Sequence, residues 1–455
     1  MIKTKFDLLK EWLVTLFGPH IGAKIAEPLW QVCQIKRKVH ASIRYFNETY
    51  YETRIAPHLA RTFPWFFWPA YKVFAIFHIC FVVNIADGTG HIIAELDYFF
   101  RRLELGQIDR NKRYVWLKKS RPISRACVAL YKHRFWFSIA NDFVYNLLLP
   151  VTVKYKSITI DCGLSRLKWQ LPENANDIGN HPPDPGQTYL YQISKAEGLR
   201  QTRAYYYART KSSSYYPLKE ARFPRDLSGL YKLLKGRTDK LALIHVKYDV
   251  KNATVKPTDP VTYLESLDYL RGLRYQLVFV GREKMPDEFK AYNAINYAES
   301  DSASFKNDIA IFAMAEMAII AGSGISYLAD CLGKPFVYIN YWHLERVPFP
   351  KYCVCSPTLV QKPSGLFFTF AEQIALHNTL PDIGDEVLPN QYKALNAGSD
   401  EILAAVKELI ELKDHYKPRS DYQEQFMSLC GKSSRLFLSQ SRVSDYFLNK
   451  YKDFL

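Results

Sequence analysis

The chain of 455 residues is longer than one domain of ordinary size, so the sequence predicts two globular domains with terminal extensions. Hydrophobic residues make up 48% of it and aromatic residues 15%, which excludes a globally disordered protein. The formal net charge of +16 favours an anionic partner, and it leaves nucleic acid, acidic lipid and phosphorylated substrates open.

The eight cysteines are scattered, without a Cys-x-x-Cys pair or a histidine cluster at zinc-binding spacing. In a chain of this size they indicate reduced, mostly buried thiols in a cytosolic compartment. Cys353 and Cys355 are two residues apart and would share one face of a strand. The sequence therefore predicts no metal site.

No segment reaches the roughly 20 uninterrupted apolar residues that a transmembrane helix requires. The most apolar segment, at 64–86, is interrupted by Pro69, Lys72 and His78. The first residues have an amphipathic pattern and lack the cleavage site of a secretory signal. We therefore expect a cytoplasmic protein without a membrane-spanning helix.

The amino-terminal half contains a pattern of strand, glycine loop and helix. An apolar run at 77–86 predicts a buried strand, and the stretch at 92–105 has the spacing of a helix. The loop between them consists of Asp87, Gly88, Thr89, Gly90 and His91. Further strands are predicted at 114–119 and 157–162.

The same half carries much of the excess positive charge, in the segment from Arg101 to Arg134. Its aromatic residues include Trp65, Phe66, Phe67 and Trp68. Aromatic and basic side chains together suit the surface of an anionic membrane. The alternative is that the aromatic rings pack between helices and the charges face solvent.

The carboxy-terminal half begins after a turn-rich passage at 208–227, which we interpret as the interdomain linker. Strands and helices then alternate. The predicted strands are 241–246, 276–281, 317–321 and 335–340, and the first two predicted helices are 263–273 and 302–314. This alternation predicts a parallel sheet covered by helices on both faces, and thus a second Rossmann-like domain.

A second glycine loop follows the apolar run 317–321. Its residues Gly322, Ser323 and Gly324 precede a helix-like stretch, where unpaired amides and the helix dipole can hold a diphosphate. In parallel sheets such sites lie at the carboxyl edge of the strands. Asp330, six residues after Gly324, would reach a sugar hydroxyl beside that phosphate. The alternative is a tight turn without a ligand and a solvated Asp330.

Two further groups of residues are candidates for chemistry. His91 and Glu95 would share a helix face, where a histidine can act as a general base near neutral pH. His245 and Lys247 share a strand face and precede Asp249, and a cation there can neutralise a departing phosphate. The alternatives are a helix cap and a strand-end charge pair. The chain has no Asp-x-Asp motif, which favours chemistry without a divalent metal.

The two glycine loops, DGTGH and AGSGISYLADCLGKP, resemble those of GT-B glycosyltransferases, particularly the peptidoglycan lipid-intermediate N-acetylglucosaminyltransferases. The order of motifs is also similar to that of predicted bacterial surface-polysaccharide glycosyltransferases. The motifs that carry this similarity are Gly90-His91 with Glu95 and Asp97, the strand with His245, Lys247 and Asp249, NYAES at 296–300, Asp308-Ile309 and the second glycine loop. The resemblance covers residues 80–104 and 241–345.

The resemblance implies an α/β protein of the GT-B fold, with two Rossmann-like domains facing across a cleft and helical terminal extensions. The corresponding ranges are 1–62 for a helical extension, 63–222 for the acceptor domain, 223–410 for the donor domain and 411–455 for a helical segment. It implies transfer of a sugar from a nucleotide sugar, which is a substrate and not a cofactor, to a cell-surface glycan or lipid-linked acceptor, independent of metal.

The resemblance also assigns roles to residues. The catalytic candidates are His91, Glu95, Asp97 and Lys247, and which of them is the base stays open. The donor-binding set is His245, Lys247, Asp249, Gly281, Gly322, Ser323, Gly324, Ile325, Ser326 and Asp330, and the acceptor loop is Asp87, Gly88, Thr89 and Gly90. This chain departs from the family pattern at Tyr327, where a small hydroxyl residue is common, and at Lys247, where arginine is usual. These departures leave the donor base and sugar open.

Two other functions stay open. A nucleotide-sugar 2-epimerase has the same fold, and HLERVPFP at 343–350 resembles its Glu-Arg segment. A non-catalytic basic protein would bind nucleic acid or a membrane, but no RRM, KH or zinc-finger signature is present. We therefore expect three partners, namely a nucleotide sugar, a glycan or lipid-linked acceptor, and the inner face of an anionic membrane, and no nucleic acid.

Overall fold

The computed structural model describes the larger part of the chain in several stretches. These are residues 51, 54–83, 92, 96, 99–100, 103, 106, 108–119, 134–161, 227–234, 240–248, 257–344, 347–348, 350–379, 388, 391–429, 436 and 439–455. The described residues of Met1–Ile76 and Phe143–Thr159 form one compact unit, and those of Phe77–Asp142 and Ile160–Leu455 form a second.

The first unit is helical. Its helices are α1 (Ala56–Thr62), α2 (Pro64–Ile76) and α3 (Asp142–Lys154). The ring of Tyr155, just after α3, stacks on Tyr71 at 4.2 Å, and its hydroxyl donates to the Pro64 carbonyl at 2.9 Å. None of the helices in the described part of the chain is both long and apolar enough to cross a membrane.

A four-stranded sheet has the order β3-β2-β1-β4. Its strands are β1 (Ile79–Val83), β2 (Arg113–Lys118), β3 (Phe137–Ala140) and β4 (Thr159–Asp161). Both β1 with β2 and β2 with β3 pair in parallel. The fully buried Trp116 of β2 packs against Phe135, whose ring also stacks on Phe99. The strand predictions at 77–86, 114–119 and 157–162 are therefore confirmed. The first and third are longer than the strands themselves, and the second is displaced from β2 by one residue.

The second sheet has seven parallel strands in the order β13-β10-β9-β8-β5-β6-β7. These are β5 (Leu241–His245), β6 (Gln276–Phe279), β7 (Ile295–Asn296), β8 (Met317–Ala321), β9 (Phe336–Ile339), β10 (Cys353–Ser356) and β13 (Arg442–Val443). A separate antiparallel ribbon pairs β11 (Leu359–Gln361) with β12 (Lys393–Leu395).

Helices cover both faces of this sheet, because every residue of β5 and β8 is buried. The remaining helices are α4 (Ser228–Leu233), α5 (Leu264–Gly272), α6 (Phe305–Met314), α7 (Ser326–Cys331), α8 (Phe370–Thr379), α9 (Ser399–Asp414), α10 (Asp421–Met427) and α11 (Asp445–Lys450). Residues of α5 and α9 pack with Ala242 and Ile244 on one face. Residues of α6 and α7 pack with Leu243 and Ile320 on the other.

The strand order reverses direction between β5 and β8. From β5 the chain proceeds to β6 and β7 on one side, and it then returns to β8, which pairs with β5 on the other side. The helix after β5 and the helix after β8 therefore lie on opposite faces of the sheet. Such a reversal opens a crevice at the carboxyl ends of the two strands, which is where ligands bind in open parallel sheets.

The predicted α/β class with parallel sheets is confirmed. In the carboxy-terminal half, the strands predicted at 241–246, 276–281 and 317–321 are β5, β6 and β8, and the helix predicted at 263–273 is α5. The linker predicted at 208–227 lies almost wholly outside the described residues. The segment 411–455 contains α10 and α11, and it also supplies β13, which we had not expected.

Candidate functional site

Eight of the predicted donor-binding residues lie at the carboxyl edge of the second sheet. His245 ends β5 and is paired with Ile320 of β8, and Lys247 is two residues further along. Gly281 follows β6, and the loop from Gly322 to Ser326 follows β8 directly. The structure thus brings residues from three separate sequence motifs together around the reversal between β5 and β8.

His245 is held in a fixed position at the floor of this crevice. Its side chain is buried, and its carbonyl accepts a hydrogen bond from the Tyr263 hydroxyl at 3.1 Å. Its Nε2 atom is 4.0 Å from Oε2 of Glu283. Gly281 has a φ of +129°, and a Cβ there would stand 3.0 Å from Cδ2 of His245. Position 281 therefore requires glycine for its backbone conformation and for the close approach of the histidine ring.

Gly322 is required for a different reason. A Cβ at this position would lie 2.9 Å from the carbonyl oxygen of Asn340, the residue that follows β9. The Gly322 amide donates to the Ile339 carbonyl at 2.9 Å, so the start of the loop is pressed against the end of β9. The small residue lets two strand ends approach one another at the crevice.

The next three residues form the turn between β8 and α7. The amides of Ser323, Gly324 and Ile325 donate to no acceptor within the described part of the chain, and Gly324 is exposed. Ser326 closes the turn, because its amide and its hydroxyl both donate to the Ser323 carbonyl, at 3.1 and 2.7 Å. Since α7 has only six residues, these loop amides and not a long helix dipole are the donors that matter here.

A buried polar network supports the loop from below. Asn340 has a φ of +57°, and its side-chain amide donates to the Thr258 hydroxyl at 2.7 Å. Its Oδ1 atom accepts from the Ala397 amide at 2.9 Å. The Thr258 amide in turn donates to the Lys247 carbonyl at 2.7 Å. The residue that Gly322 touches is therefore joined to the backbone of Lys247 by two hydrogen bonds through Thr258.

A half-buried carboxylate lies at the same edge, beyond β7. Asp308 of α6 accepts a hydrogen bond from the Tyr297 hydroxyl at 2.7 Å. Burial raises the pKa of Asp308 to about 6, although the Tyr297 hydrogen bond and the nearby Arg282 oppose the rise. Burial also raises the pKa of Tyr297, and the neighbouring Asp308 adds to that effect.

The loop after β6 is tied to the end of β7 by Glu299. Its carboxylate accepts from the Asn296 side chain at 2.6 Å and from the Met285 amide at 3.1 Å. The pKa of Glu299 is lowered, first by the Asn296 hydrogen bond and then by the Met285 amide. The NYAES motif thus includes a structural clamp of this edge.

Asp330 lies near the end of α7 and is 5% exposed. Burial and the Cys355 thiol raise the pKa of Cys353, the first residue of β10, and the Asp330 carboxylate adds to this rise. Asp330 is therefore close to the amino end of β10, and its contact with a ribose stays a prediction.

Predicted site residues outside the described part are Asp87, Gly88, Thr89, Gly90, His91, Glu95, Asp97 and Asp249. Among the described residues, no group of three or more His, Cys, Asp or Glu side chains could hold a metal ion.

Four residues of this edge were not selected as site residues from the sequence. They are Thr258, Tyr263, Tyr297 and Asn340. Tyr297 lies within the NYAES motif, and Asn340 ends the apolar run of β9, where a polar residue after a buried strand is a recognisable signal. Thr258 and Tyr263 have no local signal, because their partners are distant in sequence.

Comparison with known proteins gives fold likeness only at low similarity. No protein-family model matches the sequence, and no curated protein matches it. The solved structures that it resembles include E. coli ADP-heptose LPS heptosyltransferase II, with 11% identity and a TM-score of 0.43, covering 74% of this chain and 100% of that one.

Two further solved structures are similar. The iron-containing heptosyltransferase TibC, in complex with ADP-D-beta-D-heptose, has 16% identity and a TM-score of 0.35 over 60% of this chain, and the match spans 61% of the TibC chain. UDP-GlcNAc 2-epimerase from Neisseria meningitidis has 10% identity and a TM-score of 0.31, over 82% of this chain and 99% of that one. Because these TM-scores are all below 0.5, we assign no family or activity from them.

Replacing Gly322 with alanine is expected to destabilise the protein by about 1–3 kcal/mol, because the new Cβ meets the buried Asn340 carbonyl. Gly272→Ala is the matched control. That glycine belongs to α5, a Cβ there has nothing within 4 Å, and alanine is the better helix former by about 1 kcal/mol. Urea denaturation measures both changes. Equal stability of the two variants would contradict the packing of the glycine loop.

The pH dependence of stability tests the environment of Asp308. Its folded-state pKa of about 6 lies above the ordinary value of 3.8, so the folded state holds a proton that the unfolded state has lost between those values. Stability contributed by this group is therefore full below pH 3.8 and is lost as the pH rises to about 6.

Asp308→Asn removes this ionisation. We expect the variant to gain on the order of 3 kcal/mol relative to the natural chain at pH 7, and much less at pH 4. Urea denaturation from pH 4 to 8 measures the difference, with Asp301→Asn, an exposed carboxylate seven residues earlier, as the control. A gain that is the same at pH 4 and pH 7 would show that Asp308 ionises normally.

Proposed function

We propose that this protein is a glycosyltransferase that moves a sugar from a nucleotide sugar to a cell-surface glycan or lipid-linked acceptor. One observation supports the proposal: the glycine loop after β8 and the residues His245 and Lys247 of β5 and its end lie at two adjacent strand ends where the strand order reverses. That is the position at which open parallel sheets bind phosphorylated ligands. The GT-B resemblance of the same residues supports this assignment.

The donor diphosphate would lie on the loop of Ser323, Gly324 and Ile325. Its oxygens accept hydrogen bonds from the three amides that bind nothing else in the described chain. Lys247, which is partly buried and lies two residues after the end of β5, would neutralise the charge that develops on the diphosphate as the sugar departs. These groups are in position before the reaction, so little reorganisation is required in the transition state.

The acceptor side rests on the resemblance alone. His91, Glu95 and Asp97 are the candidates for the base that deprotonates the acceptor hydroxyl, and the acceptor loop would be Asp87–Gly90. We propose the GT-B arrangement for the two halves, in which this loop and the donor site share one cleft. A nucleotide-sugar 2-epimerase would use the same donor site without an acceptor.

Nucleotide binding tests the donor site directly. In a thermal-shift panel of UDP, GDP, CMP and ADP, we expect one nucleotide to stabilise the protein by about 2.7 kcal/mol at a hundred times its dissociation constant. Lys247→Ala should weaken that nucleotide at least tenfold, because a hydrogen bond to a charged phosphate contributes about 1.5–3 kcal/mol.

Lys240→Ala is the matched control, since Lys240 precedes the same strand at its opposite end and is exposed. It should leave nucleotide affinity unchanged. Absence of binding by all four nucleotides, or equal loss in both variants, would refute the donor site. Turnover of UDP-N-acetylglucosamine to an isomer without acceptor would replace the transferase by the epimerase.

We further propose that the first unit binds the inner, anionic face of a membrane. Helix α2 has no buried residue, and Trp65, Phe66 and Trp68 are 70%, 66% and 53% exposed. The ammonium of Lys72 lies 5.2 Å from the centre of the Trp68 ring. Residues 54–83 contain no acidic residue. Exposed aromatic rings with basic neighbours suit the lipid headgroup region.

Vesicle sedimentation tests the membrane proposal. The protein should bind vesicles of phosphatidylcholine with phosphatidylglycerol more tightly than phosphatidylcholine alone. Trp65→Ala with Trp68→Ala should weaken binding by about tenfold for each ring. Leu366→Ala with Leu395→Ala, which removes exposed apolar side chains elsewhere, is the control. Equal binding by both double variants would exclude α2 as the contact.

A further inference from the structure

We propose that a basic cavity at the amino edge of the first sheet binds a ligand that carries two or more phosphate groups. The cavity has a volume of about 520 Å³. Its lining includes Arg110, Lys112, Arg113, Tyr114, Arg134 and Trp136. Cavities of this size hold small organic ligands, and neither the predicted donor site nor the predicted acceptor loop contains any of these residues.

The chemistry of the lining selects the ligand. Four of its side chains are cations, and none of the described lining residues is acidic. Arginine presents a planar set of N–H donors that matches two oxygens of one phosphate, and three arginines here can serve more than one phosphate. The lining therefore favours a bisphosphate or diphosphate over a monovalent anion.

The protein holds these cations in place before any ligand arrives. The Nε atom of Arg110 donates to the Leu103 carbonyl at 3.1 Å. The guanidinium of Arg113 lies 5.3 Å from the centre of the Trp136 ring, and that of Arg134 lies 5.2 Å from the Phe100 ring. Such stacking orients the planar groups and reduces the entropy lost on binding.

The strands of the first sheet show where the cavity lies. Arg113 begins β2, and Trp136 immediately precedes β3, so the cavity lies at the amino ends of these parallel strands. None of the lining residues belongs to the proposed donor or acceptor residues, so this proposal does not rest on the transferase function.

Calorimetric titration with inorganic pyrophosphate tests the cavity in the full chain. Arg110→Ala with Arg134→Ala should weaken the interaction by about tenfold for each arginine. Lys232→Ala with Lys452→Ala removes the same charge from exposed positions elsewhere and should leave affinity unchanged. Equal loss in both double variants would show non-specific attraction and overturn the proposal.

Two further variants separate this cavity from the donor site and from misfolding. Pyrophosphate binding to the cavity should persist in Lys247→Ala, and binding that disappears there would place the ligand at the glycine loop instead. Arg110→Lys with Arg134→Lys keeps the charge and should bind with intermediate affinity, because the bidentate geometry is lost. Affinity as low as that of the alanine pair, in a folded protein, would contradict recognition by charge at this cavity.

A comparison of lipid vesicles identifies the source of the phosphate groups. Vesicles with a phosphoinositide bisphosphate present several phosphate groups on one headgroup, and vesicles with phosphatidylglycerol at equal total charge present one phosphate on each headgroup. Preference for the bisphosphate lipid that Arg110→Ala with Arg134→Ala abolishes would identify a lipid headgroup as the ligand. Pyrophosphate binding without that preference would identify a soluble phosphorylated ligand. Absence of both interactions in the natural chain would overturn the proposal.

Discussion

The reversal of strand order between β5 and β8 is the constraint on which the site depends. Because all pairings in the seven-stranded sheet are parallel, each strand must be followed by a crossover on one face or the other. The helix after β5 packs on one face and the helix after β8 on the opposite face. In open parallel sheets such a reversal leaves a crevice above the two neighbouring strand ends, where their loops can bind a ligand.

Close packing then fixes the floor of that space. Gly281 lies against the His245 ring and Gly322 against the Asn340 carbonyl, so two glycines bring backbone and side chains closer than any Cβ would permit. The polar groups beneath are satisfied by one another, since Asn340 bonds to both Thr258 and Ala397. A loop supported in this way keeps its amides oriented without a long helix behind it, which α7 does not provide.

The sequence predicts what is local and misses what is not. The runs LALIHV and MAIIA indicate buried strands because both faces of the sheet are covered, and the glycine loop follows the second run directly. Strands β7 and β13 have two residues each, which is too short for a hydrophobic period. The neighbour relation of β5 and β8 depends on more than 70 intervening residues, and only the fold reveals it.

The placement of charge explains why the net charge of +16 could not identify a function. At the carboxyl edge of the second sheet, charges of both signs occur, among them Lys247, Arg282 and the half-buried Asp308. A half-buried charge is screened by solvent less than an exposed one, so it acts strongly over a few ångströms. The arginines at the amino edge of the first sheet are clustered around an open cavity and act on anions from outside. The excess charge therefore describes surfaces that recruit ligands, whereas the proposed chemistry depends on a handful of groups that contribute little to the total.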